Sequence, residues 1–160
     1  MPNIFDSARV AGEALSSSRL GEQAGADQLG MSLYELEPGG SMVFHYHVQR
    51  EELLVVLSGT LALRTAAGWS ELPEGEVVAF PRGERGAHGC ENRSDRIVRL
   101  LMISEQNAPN ISVYPDTNEV GIFDAAHPAD RRFGALFDVA DARSGYGGGS
   151  AKIIPPAQLE

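Results

Sequence analysis

The chain is nearly devoid of cysteine: among 160 residues only Cys90 carries a thiol. A single cysteine cannot close an intrachain disulfide, so nothing in the sequence calls for an oxidising compartment. Long apolar runs are missing too. The longest, Leu53 to Leu57, falls far short of the ~20 residues that span a bilayer. Positive charge is scarce: 13 Lys plus Arg stand against 22 Asp plus Glu, a formal net charge of −9. That balance repels phosphate backbones and anionic lipid, which argues against nucleic-acid and membrane-surface partners. No helix-turn-helix segment or basic patch is visible. The opening MPNIFDSARVAGEALSSSRL lacks a charged start followed by an apolar stretch of ~7–15 residues, so it does not read as a secretory signal. The expectation is a cytoplasmic protein. No repeat with a period of roughly 20–50 residues is present, which excludes solenoids and propellers.

What remains is the composition of one domain: 42% hydrophobic residues, punctuated by 18 Gly and 9 Pro, enough to build a core without staples. The first thirty residues are rich in Ala, Ser and Gly, and a short helix is expected near Ala11 to Arg19. From Met31 the texture changes to short apolar stretches parted by turn signals: Met31–Leu36, Ser41–His47, Glu52–Leu57, Thr60–Thr65, Trp69–Leu72, Val77–Phe80, Ala87–Glu91 and Ile97–Ile103. Glu37-Pro38-Gly39-Gly40, Ser58-Gly59 and Pro73-Glu74-Gly75 mark the turns, because proline presets one dihedral and glycine allows positive φ. Strands this short and evenly spaced read as an antiparallel sandwich or barrel; a parallel sheet would need helical crossovers for which there is no room. Residues 105–160 read as a C-terminal extension with one more hairpin, Asn110–Tyr114 and Glu119–Phe123. A flexible stretch around Gly145 to Ser150 and an extended tail at Ile153-Ile154-Pro155-Pro156 follow.

Chemistry concentrates in two segments. In Gly39-Gly40-Ser41-Met42-Val43-Phe44-His45-Tyr46-His47, the two histidines are two residues apart and share one face of a strand. A following strand that begins near Glu52 returns a carboxylate to that face. Two imidazoles and a carboxylate are a normal donor set for a first-row transition metal. His88 follows a second glycine-rich stretch, Gly75 to Gly86.

These segments resemble the paired motifs of the cupin superfamily. Gly39, His45, His47, Glu52 and Gly59 match the first, Gly-x5-His-x-His-x3,4-Glu-x6-Gly; six residues before Gly59 select Glu52 over Glu51. Gly75, Pro81, Gly83, His88 and Asn92 match the second, with four residues instead of two between Gly83 and His88. The resemblance covers residues 31–104, with residues 1–30 as an N-terminal extension. It implies an all-β fold, an antiparallel double-stranded β-helix (jelly-roll) barrel with short irregular extensions, and usually a homodimer. It also implies one divalent transition metal, iron, manganese, nickel or zinc, held by His45, His47, Glu52 and His88. Such a donor set leaves positions for water or substrate. The pair Leu20-Gly21, the run Phe80 to Gly83, and Tyr114-Pro115-Asp116 further resemble small single-domain bacterial cupins of the cupin 2 type.

The expected function is a metal-dependent enzyme on a small polar molecule, of isomerase/lyase or dioxygenase type. The alternative is a non-enzymatic binding module for a sugar or small acid. Arg82 and Arg85 are candidates to clamp an anionic substrate, and Cys90, two residues beyond His88, is a candidate to face the same interior. No residue is assigned as the general acid or base. Tyr46 and Glu51 alternate with the ligands and should face away, and His127 reads as a surface residue.

Overall fold

Period-two patterning builds two antiparallel sheets, described here from a computed structural model that covers residues 1–5, 14–125 and 132–139 and the backbone of Lys152–Ile154. His127, the Gly145–Ser150 stretch and the Pro155-Pro156 pair lie outside the described residues. The strands are β1 (Leu15–Arg19), β2 (Leu29–Leu36), β3 (Ser41–His47), β4 (Glu52–Ser58), β5 (Thr60–Thr65), β6 (Gly68–Pro73), β7 (Val77–Phe80), β8 (His88–Glu91), β9 (Val98–Glu105), β10 (Asn110–Tyr114), β11 (Glu119–Phe123), β12 (Gly134–Asp138) and β13 (Lys152–Ile154). One sheet runs β1-β2-β9-β4-β7 and the other β13-β12-β11-β10-β3-β8-β5-β6. A single helical turn, α1 (Leu20–Gln23), and a 3-10 turn at Glu84–Gly86 are the helical elements among the described residues.

The expected helix at Ala11 to Arg19 is not what forms: Leu15–Arg19 is a strand, paired residue for residue with Ser32–Leu36 of β2. Three consecutive serines are poor helix formers, and the edge of β2 offers their backbone a full ladder. Ser18 is buried and Leu15 packs against the core. The C-terminal hairpin is β10–β11, and β12 and β13 continue the sheet beyond it.

The sheets face each other across one apolar core. Leu36, Leu54, Val56, Val98, Leu100 and Met102 of the first sheet meet Leu61, Leu63, Leu72 and Cys90 of the second. Each such leucine or valine, fully buried, contributes roughly 1.5–3 kcal/mol, so this half of the interior holds the sheets together. The other half is polar, and the register shows why. Glu52 pairs with Ser104 and Phe80, and Ser104 pairs with Gly30. Two residues along, Leu54 pairs with Met102 and Val78, and Met102 with Ser32.

A bulge in β3 lets one strand serve both halves. Met42 is opposite Cys90 and His45 opposite His88, so two residues of β3 answer one of β8. Met42 packs on the core while His45 and His47 join Glu52 and His88; without the extra residue, Met42 and His45 would project to opposite faces. Val43 and Phe44 are the two residues of the bulge, and the Arg64 guanidinium lies over the Phe44 ring, 4.1 Å from its centroid. Opposite the bulge stands Gly89. A Cβ there would come within 3.0 Å of the Phe44 Cα and 3.1 Å of the Met42 carbonyl oxygen, so a side chain at this position would push the bulged backbone back by a few tenths of an ångström.

Candidate metal centre

The structure brings together the four residues singled out by spacing. One donor atom each from His45, Glu52 and His88 lies within 4.8 Å of the others. His47 joins through Glu52: its Nε2 and that of His88 each lie 3.3 Å from Glu52 Oε2. The His45 ring centroid is 4.9 Å from that of His47 and 4.8 Å from that of His88. Glu51, the rejected neighbour, is exposed, and its backbone N–H donates to Glu105 Oε2.

The tautomers of the imidazoles follow from their partners. His45 Nδ1 donates to the Val43 carbonyl and His88 Nδ1 to the Gly86 carbonyl, each over 2.9 Å. His47 Nδ1 is 3.1 Å from Asn110 Oδ1 and 3.0 Å from Ser112 Oγ. A carbonyl oxygen only accepts, so all three Nδ1 atoms carry the proton and all three Nε2 atoms keep a lone pair. Two residues beyond the usual motif spacing are absorbed by the Glu84–Gly86 turn, where a side chain on Gly86 would run into the Pro81 carbonyl. Phe80 from the facing sheet stacks on the His88 ring at 3.7 Å and 9° and fixes its plane.

Burial, reinforced by His88 and His47, pushes the His45 imidazole down to about 4. Burial also lowers His88 against the opposing pull of the Gly86 carbonyl. For Glu52, burial alone would raise the carboxyl. His47, whose Nε2 lies 3.3 Å away, and the attraction of the imidazoles when protonated together outweigh burial, and the group titrates below its ordinary value. The outcome is a neutral His45 and a neutral His88 beside a carboxylate, the protonation states metal binding needs. Glu52 Oε2 and His88 Nε2 are buried without any hydrogen-bond partner. Orphaned atoms of this kind are costly unless something answers them, and a cation coordinated by lone pairs fits both.

The other candidates separate. Arg82 is already engaged: its Nε donates to Glu105 Oε2 at 3.0 Å and a second nitrogen reaches Oε1 of the same carboxylate. Arg85 is exposed on the 3-10 turn. Cys90 does not face the centre. It sits in the apolar half, 3% exposed, where burial pushes the thiol up to about 12. Asn92, the last residue of the second motif, is a structural pin: its side-chain amide donates to the Leu36 and Arg96 carbonyls.

Spacing missed the contribution of β10. Asn110 and Ser112 contact His47, and Tyr114 stacks near His45 at 6.1 Å. A trace was available in Asn110-Ile111-Ser112-Val113-Tyr114, where polar and apolar residues alternate. On β2, Tyr34 packs on the core, and burial raises its phenol.

Two facing antiparallel sheets with three imidazoles and a carboxylate at one end of the interior define a cupin barrel. Residues 32–104 match the family model Cupin_2, a cupin domain, and this stretch of the chain is a cupin domain. Among solved structures it resembles a sugar phosphate isomerase of the cupin superfamily from Silicibacter pomeroyi. The two are 29% identical with a TM-score of 0.71, over 79% of this chain and 77% of that one. A candidate sugar phosphate isomerase from Acidithiobacillus ferrooxidans is 25% identical with a TM-score of 0.73, over 83% and 81% of the two chains. The tetracenomycin polyketide synthase protein TcmJ of Streptomyces glaucescens is 30% identical over 95 residues, 59% of this chain. That alignment spans only 60% of the relative's length.

Proposed function

We propose that His45, His47, Glu52 and His88 hold one divalent transition metal, and that the protein is a metal-dependent isomerase of a small hydroxylated molecule of the sugar phosphate type. The observation that carries the metal is the pair of orphaned atoms, Glu52 Oε2 and His88 Nε2, among imidazoles whose protons are all on Nδ1. The substrate class is supported by the two sugar phosphate isomerase relatives, each aligned over more than three quarters of both chains.

A bound divalent ion supplies Lewis acidity that eases removal of a proton beside a carbonyl. The chain's own residues do the rest. His45 and His88 stay neutral because they are buried, and Glu52 stays ionised. Phe80 and the apolar half of the barrel exclude water from one side. With Arg82 tied to Glu105, we assign the substrate's anionic group to Arg85. The same reading includes a homodimer in the cytoplasm, the first checked by light scattering.

The experiment is proton exchange. Metal-loaded protein is incubated with a panel of sugar phosphates in D2O and followed by proton NMR. Deuterium at the carbon beside the carbonyl, with isomer formation, is the expected result. Thermal stabilisation by a ligand without exchange or product would replace the enzyme with a binding module. Oxygen uptake by iron-loaded protein without exchange would replace it with a dioxygenase.

A further inference from the structure

The three imidazoles are not held alike. His45 and His88 donate to backbone carbonyls two residues upstream, acceptors that no side-chain substitution removes. His47 depends on side chains more than sixty residues away, Asn110 Oδ1 at 3.1 Å and Ser112 Oγ at 3.0 Å. Both partners are buried, at 5% and 2% exposure. They reach His47 because β10 pairs with β3 over Ser112–His47 and Val113–Tyr46, with the Val48 N–H donating to the Ile111 carbonyl. In the competing tautomer the proton sits on Nε2, 3.3 Å from Glu52 Oε2. A proton bridging those two atoms would occupy the lone pair that a cation needs.

We propose that Asn110, assisted by Ser112, is a positioning residue that holds His47 in its Nδ1-protonated tautomer, so that β10, which lies outside the matched residues 32–104, completes the metal centre. The inference rests on the metal reading above. Partners of this kind fix the ring and raise its basicity toward metal, and their loss typically costs about 10–100-fold in affinity. Asn110 is the stronger partner because its carbonyl oxygen can only accept, whereas the Ser112 hydroxyl can turn to donate.

The test is zinc affinity, by competition with a chelating dye, for wild type, Asn110→Leu, Asn110→Asp and Ser112→Ala, with thermal melts of each metal-free protein. Asn110→Leu should bind zinc about 10–100-fold more weakly. Asn110→Asp, which keeps the acceptor, should bind at least as tightly as wild type, and Ser112→Ala should lie between. A folded Asn110→Leu protein with wild-type affinity overturns the proposal. So does an Asn110→Asp protein as weak as Asn110→Leu, since packing alone would explain both. A second measurement stands if the leucine variant does not fold: nitrogen-15 NMR of metal-free wild type should show His47 protonated on Nδ1 and bare on Nε2, and the reverse pattern overturns the assignment. Wild type that binds no zinc defeats the metal reading, while the ring-nitrogen spectrum still decides the role of Asn110.

Discussion

His88 and Cys90 are two residues apart on β8, yet they belong to different chemistries. His88 is stacked on Phe80 with its Nε2 beside Glu52; Cys90 lies among Leu61, Leu63, Leu72 and Val98 with its thiol pushed up to about 12. The same contrast separates Glu52 from Leu54 on β4. One end of the barrel supplies stability through dry contacts, and the other gathers polar atoms whose partners are incomplete without a ligand. Because the two ends share strands, substitutions two residues apart should have opposite signatures.

The largest expected effects come as a pair. His88→Ala should abolish metal binding while the metal-free barrel still melts cooperatively, because it removes an unpartnered buried nitrogen. Leu54→Ala should do the reverse: roughly 2–5 kcal/mol of stability lost in urea unfolding, with metal stoichiometry unchanged in the protein that remains folded. If both variants lost metal and stability together, the two ends would not be separable.

Acid should sharpen the contrast. His45 has its folded value lowered from 6.5 to about 4. The unfolded chain therefore takes up a proton below 6.5 while the native state does not, and metal-free protein should lose stability as pH falls from 6.5 toward 4. His45→Gln should flatten that dependence, measured as melting temperature against pH. A smaller effect is expected at Cys90, which should resist alkylation at pH 8 in native protein and react in urea, because the thiol is buried and protonated. Arg82→Ala should change least. Its partner Glu105 is held on the surface, where such ion pairs contribute little, and metal binding should not move.

The comparison also explains what could be read from the sequence. Strands β2 to β9 were legible nearly to the residue because proline and glycine punctuate them, and the clustering of His45, His47, Glu52 and His88 because motif spacing is a local property. Leu15–Arg19 was not: its strand is imposed by the edge of β2, not by its own propensity. The β3 bulge depends on Gly89 of another strand, so no alternation rule applied to β3 alone places Met42 and His45 on one face. Asn110 and Ser112 acquire their role only when β10 pairs with β3. Arg82 reads as a free guanidinium until Glu105 is brought beside it.

Elemental analysis of protein purified without chelator, wild type beside His88→Ala, tests the central claim most directly. Close to one transition-metal ion per chain is expected in wild type and little in the variant. A wild-type protein that arrives without metal and refuses iron, manganese, nickel and zinc when they are added, or a variant as fully loaded as wild type, would contradict it.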